Sequence, residues 1–224
     1  MKSLSVLAVC ISLACASFAS VASDENRSEV QHSQTTQLTA VESPRVDQLL
    51  VNEAADFARY DNLMLAQVQV SFREKAYRSS FSTRNQMNRA IANVTPKIQQ
   101  LFAETFSAVT KQQGHFQMVS QHTDNTLVVV PRLVDVYLAN LDDMSHSGRT
   151  SVYAQSAGHM TLVVDLYDAS TGEMLARAVD HQQATEWSRA VRQSSVDNTQ
   201  QIRRMVTSWT TDLNQGLKQL NQPM

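Results

Sequence analysis

Three carboxylates and two imidazoles fall in stretches that read as β-strands: Asp135, Asp165 and Asp180, with His159 and His181. Carboxyl and imidazole groups brought within reach of each other can work as general acid and base, or hold a small polar ligand. Asp165 is the most conspicuous, because it interrupts an apolar strand, Thr161-Leu-Val-Val-Asp-Leu-Tyr167. Strand carboxylates more often face solvent or cap a strand end. A non-local site around Asp135, Asp165 and His159, serving a hydrolase or a small-ligand-binding protein, is therefore the alternative expectation.

Other chemistries find less support. The chain has no Gly-x-Ser-x-Gly elbow and no Ser-x-x-Lys. The histidines at 32, 115, 122, 146, 159 and 181 form no His-x-His or His-x-x-x-His pair. Asp142-Asp143 with His146 is the best local metal cluster, and it reads as a solvated turn. The glycines at 114, 148, 158, 172 and 216 are dispersed, which excludes a phosphate cradle. Arg189, Arg192, Arg203 and Arg204 lie near Trp187; they read as a solvated face, or else as a contact for an anion or lipid headgroup. A net charge of −2, with both signs dispersed, carries no polyanion footprint. No cofactor, metal or nucleic acid is expected.

The N-terminus reads as a targeting segment. Lys2 precedes an apolar run, Ser3 to Ala14, too short to span a bilayer. Ser20-Val21-Ala22 offers cleavage after Ala22, and Ser17-Phe18-Ala19 a second option. Ser12-Leu13-Ala14-Cys15 loosely resembles a lipobox, so Cys15 is the possible lipidation site and the possible membrane anchor. The only cysteines are Cys10 and Cys15, so no disulfide staples the body of the protein. The expected organisation is a signal peptide at 1–22, a flexible polar arm at 23–44, one domain at 45–220 and a tail at 221–224.

Periodicity supplies the elements that must position the candidate residues. Val46 to Ala58 carries a helical stripe, and Asn62 to Phe72 alternates as a strand. Thr95-Pro96 reads as the start of a helix running to Gly114, and Arg84 to Val94 either as a separate helix or as its kinked extension. Phe116 to Ser120 reads as a short strand. Thr126 to Ala139 is β-rich, with a bulge or sheet edge expected at Pro131. Leu141 to Ala157 reads as a loop. Residues 158–187 read as a β-hairpin with Asp168 and Gly172 at its turn. Glu186 to Ser194 reads as a connector. Ser195 to Gln219 repeats apolar residues at three and four, from Ile202 through Trp209 to Leu220. The fold class is α+β, with an antiparallel or mixed sheet of about four or five strands against two long amphipathic helices. Those helices are expected to dry one sheet face and to leave no interior vacancy.

The order of elements resembles a bacterial envelope family, domain of unknown function 3313, whose members are often lipoproteins. Tyr60-Asp61-Asn62-Leu63, Val68-x-Val70, Phe116-x-Met118-Val119 and Thr126-Leu-Val-Val-Val130 carry the resemblance. The strongest stretch is Leu162-Val-Val-Asp-Leu-Tyr-Asp168-Ala-Ser-Thr-Gly172-Glu173-Met-Leu-Ala176, followed by Val179-Asp180. The resemblance spans about Phe57 to Leu217. It implies an exported envelope protein without an assigned reaction, and its fold is similar to small periplasmic α+β domains of Tol-system and curli-secretion lipoproteins. The expectation is a non-enzymatic interaction or assembly module, periplasmic or on the inner face of the outer membrane, that binds an envelope protein or another envelope component. Asp142, Asp143, Arg149 and Tyr153 in the 141–157 loop, together with a sheet edge, are the expected contact surface.

Overall fold

A computed structural model describes residues 37–121, 123–139, 141, 152–154, 158–184, 191–193 and 195–220. The expected signal peptide, Cys15, Asp142, Asp143, Arg149 and the tail at 221–224 lie outside them, as do Trp187 and Arg189 and the side chains of Tyr153 and Arg192.

The centre of the molecule is a mixed sheet of eight strands, where four or five were expected. In chain order these are β1 (Thr39–Val41), β2 (Gln48–Val51), β3 (Asn62–Leu65), β4 (Gln69–Phe72), β5 (Gln117–Met118), β6 (Thr126–Leu138), β8 (Gly158–Asp168) and β9 (Met174–Gln183). Their spatial order is β1-β2-β9-β8-β6-β3-β5, and β4 also pairs with β6. β6 runs antiparallel to β8 and parallel to β3 and β4, which follow each other along one of its edges. A separate two-stranded sheet joins β7 (Val152–Ala154) to β10 (Val191–Gln193). It corrects two expectations, since β7 falls in the expected loop and β10 in the expected connector.

Two long helices provide the dry side. α2 (Arg84–Gln113) begins with a capping box between Thr83 and Gln86 and ends at Gly114 in the left-handed conformation. Of the two readings of this stretch it is the continuous one, with Arg84 to Val94 and the segment after Pro96 in a single helix. Met87, Ala90, Val94, Ile98, Leu101, Phe102 and Phe106 keep one buried phase across the proline, so packing along the whole stripe outweighs the lost hydrogen bond. The Thr95 hydroxyl does not act as a cap; it donates to the Ile91 carbonyl at 2.8 Å. The other long helix, here called α3 (Ser195–Leu220), matches expectation along most of its stripe, with Ile202, Met205, Val206, Trp209 and Leu217 buried but Leu220, at its end, exposed. Asn214 on α3 donates to the Thr110 hydroxyl on α2 at 3.2 Å, a buried polar tie between the helices. A single-turn helix, α1 (Glu74–Tyr77), precedes α2.

The helix expected over Val46 to Ala58 is absent. Gln48–Val51 pairs instead with Ala176–Val179 of β9, and the Asn52 and Asp56 side chains accept from the Ala54 and Ala58 N–H groups at 3.0 Å, turning the chain. So short an apolar run fits either period, and the open edge of β9 decides it. β1 occupies the last part of the expected arm. Pro131 marks neither a bulge nor an edge. Val129 O accepts from Ala66 N–H on the β3 side, so alternation turns the donor-less Pro131 nitrogen to the same side, where residues 66–68 leave the ladder between β3 and β4. The bulge in β6 falls between Val134 and Tyr137, with Asp135 at φ 54°.

Gly158 opens β8 at φ 141°, and a Cβ there would sit against the Tyr137 carbonyl oxygen, well inside contact distance. Gly172 in the hairpin turn also has positive φ, 71°, but open space around it. Gly158→Ala is expected to cost at least about 3 kcal/mol or to prevent folding, and Gly172→Ala about 1–2 kcal/mol. Urea unfolding of the two variants checks the contrast; equal losses would refute the close approach.

Candidate functional site

Alternation along β8 sorts the candidate residues onto two faces. Met160, Leu162, Val164 and Leu166 point toward the helices. His159, Thr161, Val163, Asp165 and Tyr167 point to the outer face. Asp165 is 3% exposed and accepts from both neighbouring strands: Arg177 Nε at 2.5 Å and Nη2 at 2.9 Å, and Arg132 Nη2 at 2.8 Å. One carboxylate between two guanidiniums, each about one-third exposed, is an ion triad in which the carboxylate is saturated while Arg132 Nε has no hydrogen-bond partner among the described residues. The carboxylate's lone pairs are committed, which suits pinning strands better than moving protons.

Asp135 and His159 meet elsewhere on that face. Asp135, lifted by the bulge, is held by Arg73, whose Nε donates at 2.6 Å and whose Nη2 makes a second, shorter contact. This hydrogen-bonded pair keeps the Asp135 carboxyl below the usual carboxylate range. His159 Nε2 lies 3.9 Å from Asp135 Oδ2 and has no hydrogen-bond partner among the described residues. Its ring stacks on Tyr137, which stacks on Tyr77, each pair at 5.4 Å. Burial, with Arg73 nearby, pushes the His159 ring below its ordinary value, and the Asp135 charge opposes this only in part. His181 Nδ1 lies 3.0 Å from the Thr161 hydroxyl. Asp165 stands six residues from His159, about 20 Å along the strand at 3.3 Å per residue. The structure thus brings Asp135 and His159 together and leaves Asp165 apart.

Asp180 and His181 are adjacent in sequence but face opposite ways. Asp180 turns to the helices and accepts from Trp209 Nε1 at 2.6 Å. Among the described residues, no group of three or more His, Cys, Asp or Glu could hold a metal ion. The Asp142-Asp143-His146 cluster lies outside them. Arg203 and Arg204 are exposed on α3.

The helix side holds a feature that overturns the expected absence of an interior vacancy. A cavity of about 330 Å³ lies between the sheet and the helices. Leu162, Val164, Leu166, Ala176 and Ala178 form its floor, and Phe102, Phe106, Trp209, Leu213, Gly216 and Leu217 its walls. None of Asp135, His159 or Asp165 lines it. Trp209 and Phe102 are buried at 4% and 2% exposure, as the stripes predict, yet large residues on the stripes do not fill the space between them. The signal available in the sequence is small residues at inward positions: Ala176 and Ala178 on β9 and Gly216 inside α3. Asp212, beside the cavity, is another residue the sequence reading passed over. Burial pushes its carboxyl up, against the opposing charge of Arg45.

Removing Asp165 strands two partly buried guanidiniums. Asp165→Leu is expected to lose about 2–4 kcal/mol, the usual range for a broken buried pair reduced for the partial exposure of the arginines. The triple variant with Arg132→Met and Arg177→Met is expected to recover most of that in urea unfolding; a triple variant as unstable as the single would contradict the ion-triad account. His159 gives a pH signature. Its folded value lies below the unfolded 6.5, so the unfolded chain takes the proton first as pH falls. Stability is therefore expected to decline from about pH 6.5 downward until the folded ring itself protonates. Thermal midpoints between pH 8 and 5 should fall less in His159→Gln than in the parent; parallel curves would exclude the effect.

No family model matches this chain, and no curated protein matches it. Among solved structures, the PelC dodecamer from Paraburkholderia phytofirmans is similar at 12% identity and a TM-score of 0.34, covering 79% of this chain and 96% of that one. A point variant of the same dodecamer gives 12% identity, a TM-score of 0.33 and coverage of 76% and 94%. Protein XCC0632 from Xanthomonas campestris, of domain of unknown function 330, gives 9% identity, a TM-score of 0.41 and coverage of 68% and 80%. At these scores the likeness supports no conclusion about activity.

Proposed function

We propose that this chain is an exported cell-envelope protein that works by holding a partner rather than by turning over a substrate, in keeping with the resemblance to domain of unknown function 3313. The supporting observation is the segregation of the two faces. The cavity is walled mainly by hydrocarbon and no imidazole lines it, although Glu42, Asp180 and Asp212 do; Asp135, His159 and His181 lie on the other face, where Asp165 is committed to two arginines. Among the described residues, no helix is long and apolar enough to cross a membrane. Anchoring at Cys15, or release after cleavage at Ala22, completes this reading, with residence in the periplasm or on the inner face of the outer membrane. The partner is an envelope protein or another envelope component. β1 is the contact edge: a terminal strand of the sheet, exposed at all three residues, presents backbone groups that a partner strand can pair.

A second reading draws on Asp135 and His159. A carboxylate 3.9 Å from a half-buried imidazole, on a bulge with positive φ, is the arrangement a small-ligand or hydrolytic site would use. The two readings separate experimentally. A photo-crosslinking residue at Thr39 is expected to capture a discrete envelope component, whereas one at the exposed Lys218 is not. Hydrolysis of ester, phosphate or peptide probes is expected to be absent. Turnover that disappears in Asp135→Asn, with no crosslink from Thr39, would replace the first reading by the second.

A further inference from the structure

The cavity has a shape and a rim that select among ligands. Its lining runs from Leu162 to Leu166 on β8 and from Ala176 to Asp180 on β9, about 13 Å of strand. On α3 the lining extends from Trp209 to Leu220, about 16 Å of helix. Leu49 and Val51 on β2 line it too, so the trough is about 10 Å across β2, β9 and β8, narrower than it is long. It is about twice the volume of a dry apolar cavity of 150 Å³ that accepts benzene, so volume alone does not exclude a compact ligand, and the greater length favours a chain.

Two further observations point the same way. Large hydrophobic side chains normally withdraw from water. The described residues expose only three, Val41, Val196 and Leu220, and two of these, Val41 and Leu220, line this cavity where it meets solvent. Small residues also keep the space open. Gly216 sits in the interior of α3, where glycine weakens a helix, and a Cβ there would touch nothing within 4 Å. The polar groups at the rim are not balanced. Glu42, Asp180 and Asp212 contribute three carboxyl groups against the single guanidinium of Arg45, which donates to Gln219 Oε1 at 3.0 Å.

We propose that this cavity binds one straight alkyl chain of a single-tailed amphiphile whose head is uncharged or bears an ammonium group. The chain lies along β8 and β9, where each buried methylene adds to affinity, and the head remains at the acidic rim. An anionic head would meet three carboxyl groups and one already engaged arginine. This inference rests on the reading of the protein as a binding module and names what the cavity side of that module takes.

The test titrates the chain lacking residues 1–22, in a Trp187→Phe background so that emission reports Trp209 alone. The probes are lauroyl glycerol, dodecyltrimethylammonium and laurate below their aggregation concentrations, with adamantanol as a compact apolar control. Saturable changes are expected for the first two, with laurate at least tenfold weaker and adamantanol without effect. Ala178→Leu and Gly216→Leu, which fill the trough from opposite sides, are each expected to weaken lauroyl glycerol at least tenfold while retaining the parent's far-ultraviolet dichroism. Two fillers keep the test decisive if one fails to fold. No saturation with lauroyl glycerol, a preference for laurate or adamantanol, or undiminished binding in a folded filler overturns the inference. The Thr39 crosslink distinguishes the two levels: its persistence in a filler that has lost the amphiphile leaves the partner-holding reading intact, whereas its loss from the parent protein counts against that reading and not against the cavity.

Discussion

The register of the central strands depends on one buried carboxylate. Asp168 ends β8 and accepts from Ser170 N–H at 2.7 Å, Thr171 N–H at 2.9 Å and the Ser170 hydroxyl at 2.6 Å, closing the hairpin turn to β9. Its other oxygen accepts from the Tyr60 hydroxyl at 2.6 Å, on the segment that leads into β3. The next residue, Ala169, donates its N–H to the Thr126 carbonyl at the start of β6. Burial alone would raise the Asp168 carboxyl; the hydrogen bonds it accepts outweigh that and hold it well below the usual carboxylate range. The β8–β9 turn and the segment leading into β3 thus meet at one ionised group, one residue from the backbone tie to β6. A slip of one residue in any of these strands would turn its apolar set outward, so the separation of the two sheet faces rests on this junction.

That separation divides the labour of the molecule. On the outer face, polar side chains satisfy one another across strands: Arg132 and Arg177 on Asp165, Arg73 on Asp135, and Thr161 beside His181. On the helix side, large apolar residues close the core at β3, β6 and α2, while Ala176, Ala178 and Gly216 leave a trough beneath α3. A well-packed core tolerates few voids larger than a water molecule. A trough this long, open where exposed apolar residues line it, is the kind of departure from close packing that accompanies binding.

Where one element is long enough to declare its period, the residues speak for themselves. The apolar stripe of α3 repeats over about five turns, the β8–β9 hairpin alternates on both sides of an Asp-to-Gly turn, and β6 is a long β-branched run; each is legible. Gln48–Val51 is not, because four residues satisfy two periods and the partner that decides between them, β9, lies far along the chain. For α2 the sequence leaves open two helices or one long helix through Pro96, and only the buried stripe continuing on both sides of the proline decides for the single helix. Asp165 attracted attention for the right reason, as a charge in an apolar strand. Its role needed cross-strand register, which places Arg177 opposite it and Arg132 two residues along the neighbouring strand. The cavity left the faintest trace. Alanine on a strand and glycine on a helix are unremarkable one at a time, and only their convergence in space makes a hollow.

The parallel pairing of β3 and β4 with β6, and the pairing of β2 with β9, set an order of assembly. The hairpin of β8 and β9 and the turns of α2 close over short stretches of chain, at little loop-closure cost. β3 and β4 must wait until β6 has been made, and β2 until Val179 has emerged, because their partners come so much later. Apart from the local pairing of β1 with β2, the strands synthesised first are therefore the last to find their neighbours in the central sheet. While they wait, Leu49, Leu63 and Val70 are exposed to any other unfinished chain, so escort by a holding factor and a low local concentration matter most for the N-terminal third of the molecule.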